Sequence, residues 1–261
     1  MSGLLALVRR ELRSQLHAPT AWIVAALFLF LSGWFFFNLV WQFAALVRSY
    51  GLYAQMTGTP DVADRLNVNA VVVEGLFSNV LVLFLFLVPA LSMRAYAEER
   101  KLGTDELLLT APVGATRIVL GKYLGLLFIA GVLLAATGVY LALVVWRGDP
   151  ETGPIVSGFV GLALALGALC ALGLAVSTLT SSQMMAAVGS FVVFLGLYVV
   201  GWPADSVEGW ARQVLRGLSL PARFDAFSRG LVTTPDLAYF LSLIVLGLVT
   251  ARLAIASQRW R

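Results

Sequence analysis

The residue types that most often carry out catalysis are scarce in this sequence. Among its 261 residues there is one histidine, His17, and one cysteine, Cys170. A zinc site needs three or four His, Cys or acidic ligands, and a serine or cysteine nucleophile needs a histidine beside it. The sequence therefore predicts a chain that is not an enzyme, and no metal site is expected.

A phosphate-binding loop is also missing from the sequence. That loop needs glycines at fixed spacing, followed by Lys-Ser or Lys-Thr. The nearest imitation, Gly121-Lys122-Tyr123, has Thr116 at the first glycine position and Tyr123 in place of the Ser or Thr. Motifs of intramembrane proteases are absent as well. If this protein moves a substrate actively, the energy must come from another polypeptide, and no cofactor is expected to bind this chain directly.

The composition is typical of a membrane protein, because 60% of the residues are apolar and only 12% are charged. A soluble domain is about half apolar and about a quarter charged. Six apolar runs are each long enough to cross a hydrocarbon core of about 30 Å as a helix. We therefore predict an all-α, polytopic membrane protein with a single domain over residues 1–261. The predicted spans are Ala21–Leu46, Gly75–Met93, Ile118–Trp146, Ile155–Leu179, Met184–Trp202 and Leu237–Ala251, with a tight turn at residues 178–183.

The distribution of Lys and Arg predicts the orientation of these helices. Eleven of the eighteen basic residues fall on segments 1–20, 94–122, 178–183 and 252–261, which alternate with the other connections. Basic residues accumulate on the cytoplasmic side of short loops, so both termini are expected in the cytoplasm. No basic and aromatic stripe is present, so nucleic-acid binding is not expected.

Residues 1–20 are predicted to form an amphipathic helix at the cytoplasmic membrane surface. The apolar side chains recur at nearly helical spacing, and the basic side chains fall mostly on the opposite side, which favours contact with membrane lipids. The alternative is a basic flank that only fixes the topology. The apolar residues are Leu4, Leu5, Val8, Leu12 and Leu16, and the basic residues are Arg9, Arg10 and Arg13.

The predicted helix interiors contain no ionisable residue. Glu74, Arg94, Lys122 and Arg252 lie near predicted ends, where long side chains reach water. Ion-coupled carriers need such groups inside the bilayer, so an ATP-independent secondary carrier or channel is disfavoured. Two stripes of small residues permit close helix packing, either within the chain or with a second copy. They are Gly131, Ala135, Gly138 and Ala142 on the third run, and Ala163, Gly167, Ala171 and Ala175 on the fourth.

The cytoplasmic loop at residues 94–117 carries signals for a helix end and a new helix start. Glu98, Glu99 and Arg100 are expected to extend the second membrane helix into the cytosol, and Gly103 is a suitable stop. Thr104 is then expected to cap a second, short helix.

This short helix combines an acidic start with an apolar patch. Glu106 lies in its first turn, where the helix dipole favours an acid, and Pro112 ends it. Leu107, Leu108 and Leu109 lie between them. Three leucines outside a membrane helix need burial, either against the bilayer or in a partner protein. The alternative is a solvated charge run that merely separates two helices.

The segment from Glu98 to Val113, followed by Ile118–Lys122, resembles the first cytoplasmic loop of ABC-2 type transporter permeases. In that family the short helix is the coupling helix, which docks on a separate ATP-binding subunit that holds ATP and Mg. The resemblance also covers the six-helix layout and the amphipathic N-terminal helix. It implies the permease subunit of an ATP-driven exporter in a bacterial inner membrane, acting as a dimer with a second permease copy. The residues it implies in partner binding are Glu98, Glu99, Arg100, Gly103, Thr104, Glu106, Leu107, Leu108 and Pro112.

The outer loop, residues 203–235, contains two short amphipathic pieces. Trp210 marks the first, and Phe224 and Phe227 mark the second. In the resembled family this loop is a re-entrant helical hairpin that lines the exit path, whereas a flat interfacial lid is the alternative. Residues 223–230 and 236–242 resemble the gliding-motility subgroup, whose permeases are often paired with an extracytoplasmic auxiliary subunit. A non-transporting scaffold that anchors a surface machine therefore stays open as a second function.

Overall fold

A computed structural model describes residues 2–57, 67–101, 103, 114–148 and 150–258 of the chain. Ten α-helices and no strands occur in those ranges. The helices are α1 (Ser2–His17), α2 (Pro19–Thr57), α3 (Glu74–Ser92), α4 (Ala97–Lys101), α5 (Ala115–Gly148), α6 (Thr152–Leu179), α7 (Gln183–Val199), α8 (Trp210–Leu218), α9 (Leu220–Ser228) and α10 (Thr234–Gln258). A π-helical turn, Asn69–Val73, precedes α3, and a 3₁₀ turn, Trp202–Asp205, follows α7.

Six helical segments are long and apolar enough to cross a membrane, which confirms the predicted number of spans. They are Pro19–Tyr53, Asn69–Arg100, Ala115–Arg147, Thr152–Leu179, Gln183–Ala204 and Thr234–Gln258. Each contains one of the apolar runs and extends it at one or both ends, because helical backbone continues into polar residues where water replaces lipid.

The tight turn between α6 and α7 is also confirmed. Thr180 and Ser182 both have extended backbone, which stops one helix and starts the next. The Ser182 hydroxyl accepts a hydrogen bond from the Met185 N–H at 3.5 Å and so caps α7. This cap explains why an apolar stretch of nearly fifty residues forms two helices rather than one.

Two helices form the centre of the bundle. About two thirds of the most apolar window of α6 is buried (67%), and the α3 span is similar at 61%, whereas the α2 span is only 11% buried. The core side chains include Val80 and Phe84 of α3 and Leu162, Leu166 and Leu169 of α6. The remaining long helices surround this pair, and their outer faces are left for lipid or a partner.

The small-residue stripe on α6 packs within the chain. A Cβ atom on Gly247 of α10 would lie only 2.6 Å from the carbonyl carbon of Ala171. On α5, a Cβ atom on Gly131 would meet nothing within 4 Å, and Ala135 and Ala142 are exposed. The two stripes therefore differ: the first brings α6 and α10 together, whereas the second is half-buried at its glycines and exposed at its alanines.

The two predicted amphipathic pieces of the outer loop form the helices α8 and α9, but only α9 enters the bundle. Phe224 and Phe227 are buried against α6, which presents a glycine to them: a Cβ atom on Gly161 would lie 2.6 Å from the Phe227 Cβ. In addition, the Ser157 hydroxyl of α6 donates to the Phe227 carbonyl at 2.8 Å. In contrast, α8 has no buried residue, and Trp210 is 78% exposed.

Truncating Phe227 is expected to loosen this insertion. Its ring is fully buried and lies edge-on to Phe240 of α10, with 6.0 Å between the ring centroids. Phe227→Ala should lower the free energy of unfolding by about 3–5 kcal/mol, because it removes the buried ring and leaves a cavity. Trp210→Ala, which removes a larger but exposed ring, should change it far less. Denaturant titrations of both variants in the same detergent make the comparison, and equal losses would contradict the insertion of α9.

Candidate functional site

The elbow, residues 93–101, turns the chain at the end of α3 and leads into α4. The hydroxyl oxygen of Ser177 on α6 accepts hydrogen bonds from the backbone N–H groups of Tyr96 and Ala97, both at 3.1 Å. The Tyr96 hydroxyl donates to Gln258 of α10 at 3.2 Å. Since the first N–H groups of a helix have no partner inside it, the Ser177 contacts fix where α4 starts. The elbow is thus anchored to the ends of two membrane helices.

A buried lysine joins the elbow to α5. Lys122 is 5% exposed, and its Nζ lies 2.8 Å from Glu99 Oε2 and 3.4 Å from Glu11 Oε2. The same Nζ donates to the backbone carbonyl of Ala95. Glu99 belongs to α4 and Glu11 to α1, so one ammonium group connects three helices.

The N-terminal helix α1 adds a second basic group to this arrangement. Arg10 Nη2 lies 3.5 Å from Glu99 Oε1, and Gln15 Nε2 donates to Glu11 Oε1 at 3.3 Å. We call Arg10, Glu11, Glu99 and Lys122 the elbow cluster. It contains two cations and two anions, so its formal charges balance. Its contacts hold α1, α4 and α5 together.

The close approach of α1 to α5 depends on glycines. A Cβ atom on Gly125 would lie 2.6 Å from the Glu11 Cγ, and one on Gly121 would lie 2.9 Å from the Leu7 Cβ. Any larger residue at these positions would push α1 away. Gly121 therefore lets α1 pack closely on α5, and the ammonium group of the adjacent Lys122 holds α1 in that position.

The energetics of the elbow cluster are dominated by its buried members. Removing one partner of a buried ion pair leaves an uncompensated charge, which costs about 3–5 kcal/mol. The Arg10 side chain is 58% exposed, and an exposed pair contributes about 0–1 kcal/mol. Lys122 is therefore the residue on which the attachment of the elbow to α1 and α5 depends.

The structure places the remaining predicted elbow residues around this cluster. Arg94 Nε lies 3.9 Å from Glu98 Oε2, one turn apart, and the Gly103 N–H donates to the Arg100 carbonyl at 3.3 Å. Gly103 has φ +67°, a conformation that favours glycine and follows the end of α4. The predicted coupling helix lies outside the described residues, including its predicted partner contacts Thr104, Glu106, Leu107, Leu108 and Pro112.

The helix α1 buries one side against the bundle and exposes the other. Glu11 and Gln15 are buried against the protein, Leu5 and Leu16 are 67% and 48% exposed, and the basic Arg9 and Arg13 are exposed as well. The amphipathic pattern read from the sequence distinguished only an apolar and a basic side. In the structure the buried side carries polar residues that pack on α5, and the exposed Leu5 and Leu16 lie on the same side of the helix as Arg9 and Arg13.

The sequence reading of Lys122 was wrong, and Glu11 was missed. Lys122 was expected near a helix end with its side chain in water, but α5 begins at Ala115, so Lys122 lies about two turns inside the helix. Its ammonium is satisfied by acids from distant parts of the chain rather than by water. The available signal was an acid, Glu11, on an otherwise basic helix, paired with a lysine between Gly121 and Gly125.

The described residues contain no group of three or more His, Cys, Asp or Glu side chains that could hold a metal ion. No curated protein matches the chain significantly. The model of the family described as "ABC-2 family transporter protein" matches residues 54–257, which include the elbow, four complete spans and both outer-loop helices. Together with the six membrane-crossing helices, this match shows that the chain belongs to the ABC-2 family of transporter membrane proteins.

Proposed function

We propose that this protein is the permease subunit of an ATP-driven exporter. Family membership implies a separate ABC ATP-binding subunit as its partner. On this proposal, residues 104–112 dock on that partner, and the elbow cluster passes the resulting movement to α1 and α5. The observation that carries the proposal is the position of Lys122, which connects both helices to the elbow directly before the docking segment.

Several finer features belong to the same proposal. The termini and the elbow face the cytoplasm of a bacterial inner membrane, and two permease copies form a dimer, as the sequence resemblance implies. The helix α9 then lies at the outer end; Phe224 and Phe227 are buried within the chain and hold α9 on the bundle, so they do not border an exit path as the resemblance implies. Assignment to the gliding-motility subgroup, with an extracytoplasmic auxiliary subunit, rests on the residue patterns 223–230 and 236–242 alone.

Docking is tested by placing charges in the leucine patch. The double variant Leu107→Asp, Leu108→Asp should reduce co-purification of the ATP-binding subunit by about tenfold or more, and the stimulated ATPase activity should fall by a similar factor. The reason is that truncating or charging a central apolar contact removes most of the binding energy of an interface. Glu106→Lys should act in the same direction. The matched control is Leu231→Asp, Val232→Asp, two adjacent exposed apolar residues at the opposite end of the bundle.

The control variant should bind and stimulate the partner within about twofold of the unmodified chain, since its charges lie far from the elbow. Normal binding and stimulation by the leucine-patch variant would overturn the proposed docking. Substrate movement in vesicles without ATP would favour a secondary carrier. A complex that binds and hydrolyses ATP but moves no substrate would favour the scaffold function.

A further inference from the structure

A cavity with both polar and apolar walls lies at the end of the bundle opposite the elbow cluster. It has a volume of about 760 Å³ and is open to the outside. Small-molecule sites commonly have volumes of roughly 300–1,000 Å³. The end of α7, the polar side of α8 and the starts of α9 and α10 line it. Its lining includes Trp202, Gln213, Arg216, Arg223 and Asp236.

The depth of this cavity relative to the membrane follows from α8. Trp210, Val214 and Leu218 form one face of this helix, and all three are exposed in the protein. A helix with such a face lies in the plane of the interface, with its apolar side among the acyl chains and its polar side at the level of the headgroups. The cavity lies on the polar side, where Gln213 and Arg216 line it. Trp202 also lines the cavity and is 68% exposed, and an exposed tryptophan is typical of the headgroup level.

The acids of the cavity are already paired with arginines. Arg223 Nη1 lies 3.0 Å from Asp236 Oδ1, and Arg223 Nε donates to the Gly217 carbonyl at 3.1 Å. Asp225, a further acid in the lining, lies 3.1 Å from Arg229. The charges of these acids are therefore offset, and the exposed side chains of Arg216 and Gln213 also line the cavity.

We propose that this cavity binds the phosphate group of a membrane phospholipid in the leaflet on that side. A guanidinium carries five N–H donors in a planar fork that matches phosphate oxygens, so Arg216 can bind a phosphate in addition to the contacts it makes within the protein. The Gln213 amide supplies further donors, and the exposed apolar face of α8 lies where the acyl chains of the same lipid run. The proposal does not depend on transport, since it concerns a binding site at the surface of the bundle.

The experiment measures lipid binding to the full chain in detergent by native mass spectrometry. The probe is dioleoylphosphatidylglycerol, and dioleoylglycerol, which has the same acyl chains without the phosphate, is the comparison. Arg216→Gln should raise the dissociation constant of the bound phospholipid about tenfold, because it removes charge-assisted hydrogen bonds to the phosphate. Arg212→Gln is the matched control: it makes the same charge change one turn away on α8 and outside the cavity lining, and should change the constant less than twofold.

The source of the phosphate is decided in the same titration. On our proposal, inorganic phosphate at equal concentration does not displace the phospholipid, because it lacks the acyl chains that hold the lipid beside α8. The site would be overturned if dioleoylglycerol bound as tightly as the phospholipid. It would also be overturned if Arg216→Gln and Arg212→Gln changed the dissociation constant of the phospholipid equally. Displacement by inorganic phosphate alone would overturn the assignment to a lipid. Both arginines are exposed, so neither variant is expected to unfold, and matching unfolding midpoints confirm this.

Discussion

Replacing Lys122 by methionine is expected to detach α1 from the elbow and to abolish ATP-driven transport. The substitution keeps a long apolar stem but removes the ammonium group that lies within 3.4 Å of both Glu11 and Glu99. The buried Glu11 and the half-buried Glu99 then lose their shared counter-ion. We expect the free energy of unfolding to fall by about 3–5 kcal/mol, the usual loss when one member of a buried ion pair is removed.

The detachment of α1 can be followed with a single thiol. Leu7→Cys places that thiol against Gly121, and the native Cys170 is fully buried and should react slowly. Labelling of Cys at position 7 should accelerate at least tenfold when Lys122→Met is added. Arg10→Gln, which removes the exposed ion pair with Glu99, should change the labelling rate and the stability little. Unchanged labelling and stability in Lys122→Met would contradict the proposed attachment.

A further variant separates stability from transmission of movement. The triple change Glu11→Leu, Glu99→Leu, Lys122→Met replaces the buried ions by apolar groups, and such replacements often restore stability. We expect the triple variant to recover most of the unfolding free energy while stimulated ATPase activity and transport stay low. Full recovery of the unfolding free energy together with ATPase activity and transport would mean that the elbow cluster has only a structural role.

Gly247→Val is expected to separate α10 from α6 and to destabilise the bundle. A Cβ atom at this position would lie 2.6 Å from the backbone carbon of Ala171 and 2.7 Å from its oxygen. Backbone atoms cannot rotate away as a side chain does, so the two helices must move apart. Overpacking of this kind costs about 1–3 kcal/mol and occasionally more, and a branched side chain against backbone should reach the upper end of that range.

Gly196→Val on α7 is the matched control, because a Cβ atom there would meet nothing within 4 Å. It makes the same substitution in another membrane-crossing helix and should change the unfolding midpoint little. Thermal unfolding of both variants, followed by tryptophan fluorescence in one detergent, gives the comparison. Similar midpoints for the two variants would contradict the close packing of α6 on α10.

The membrane-crossing helices could be predicted from the sequence because they depend on local composition. A long apolar run has no alternative to a helix in a bilayer, where every backbone polar group must be satisfied within the segment. The turn at Ser182 and the helix stop at Gly103 are local signals of the same kind. Helix positions could therefore be predicted even where the packing partners could not.

The elbow cluster could not be predicted in this way, because it joins residues far apart in the chain. Glu11 and Lys122 are 111 positions apart, and although Glu11 is an acid on an otherwise basic helix, nothing in either segment shows that the two side chains meet. The burial of α9 is a similar case. Its sequence is only mildly amphipathic. It enters the bundle because Gly161 of α6 leaves room for the side chain of Phe227. Small residues could be recognised in the sequence, but what packs against them is decided by the fold.

The central claim, that the segment after the elbow docks on an ATP-binding subunit, is tested most directly by site-specific photo-crosslinking in the assembled complex. A photoreactive residue at position 108 should form a covalent adduct with the ATP-binding subunit. The same residue at position 192, where Val192 is 61% exposed on α7, should not. Adducts from position 108 that reach only the chain itself or lipid, in a complex that still transports its substrate, would contradict the account.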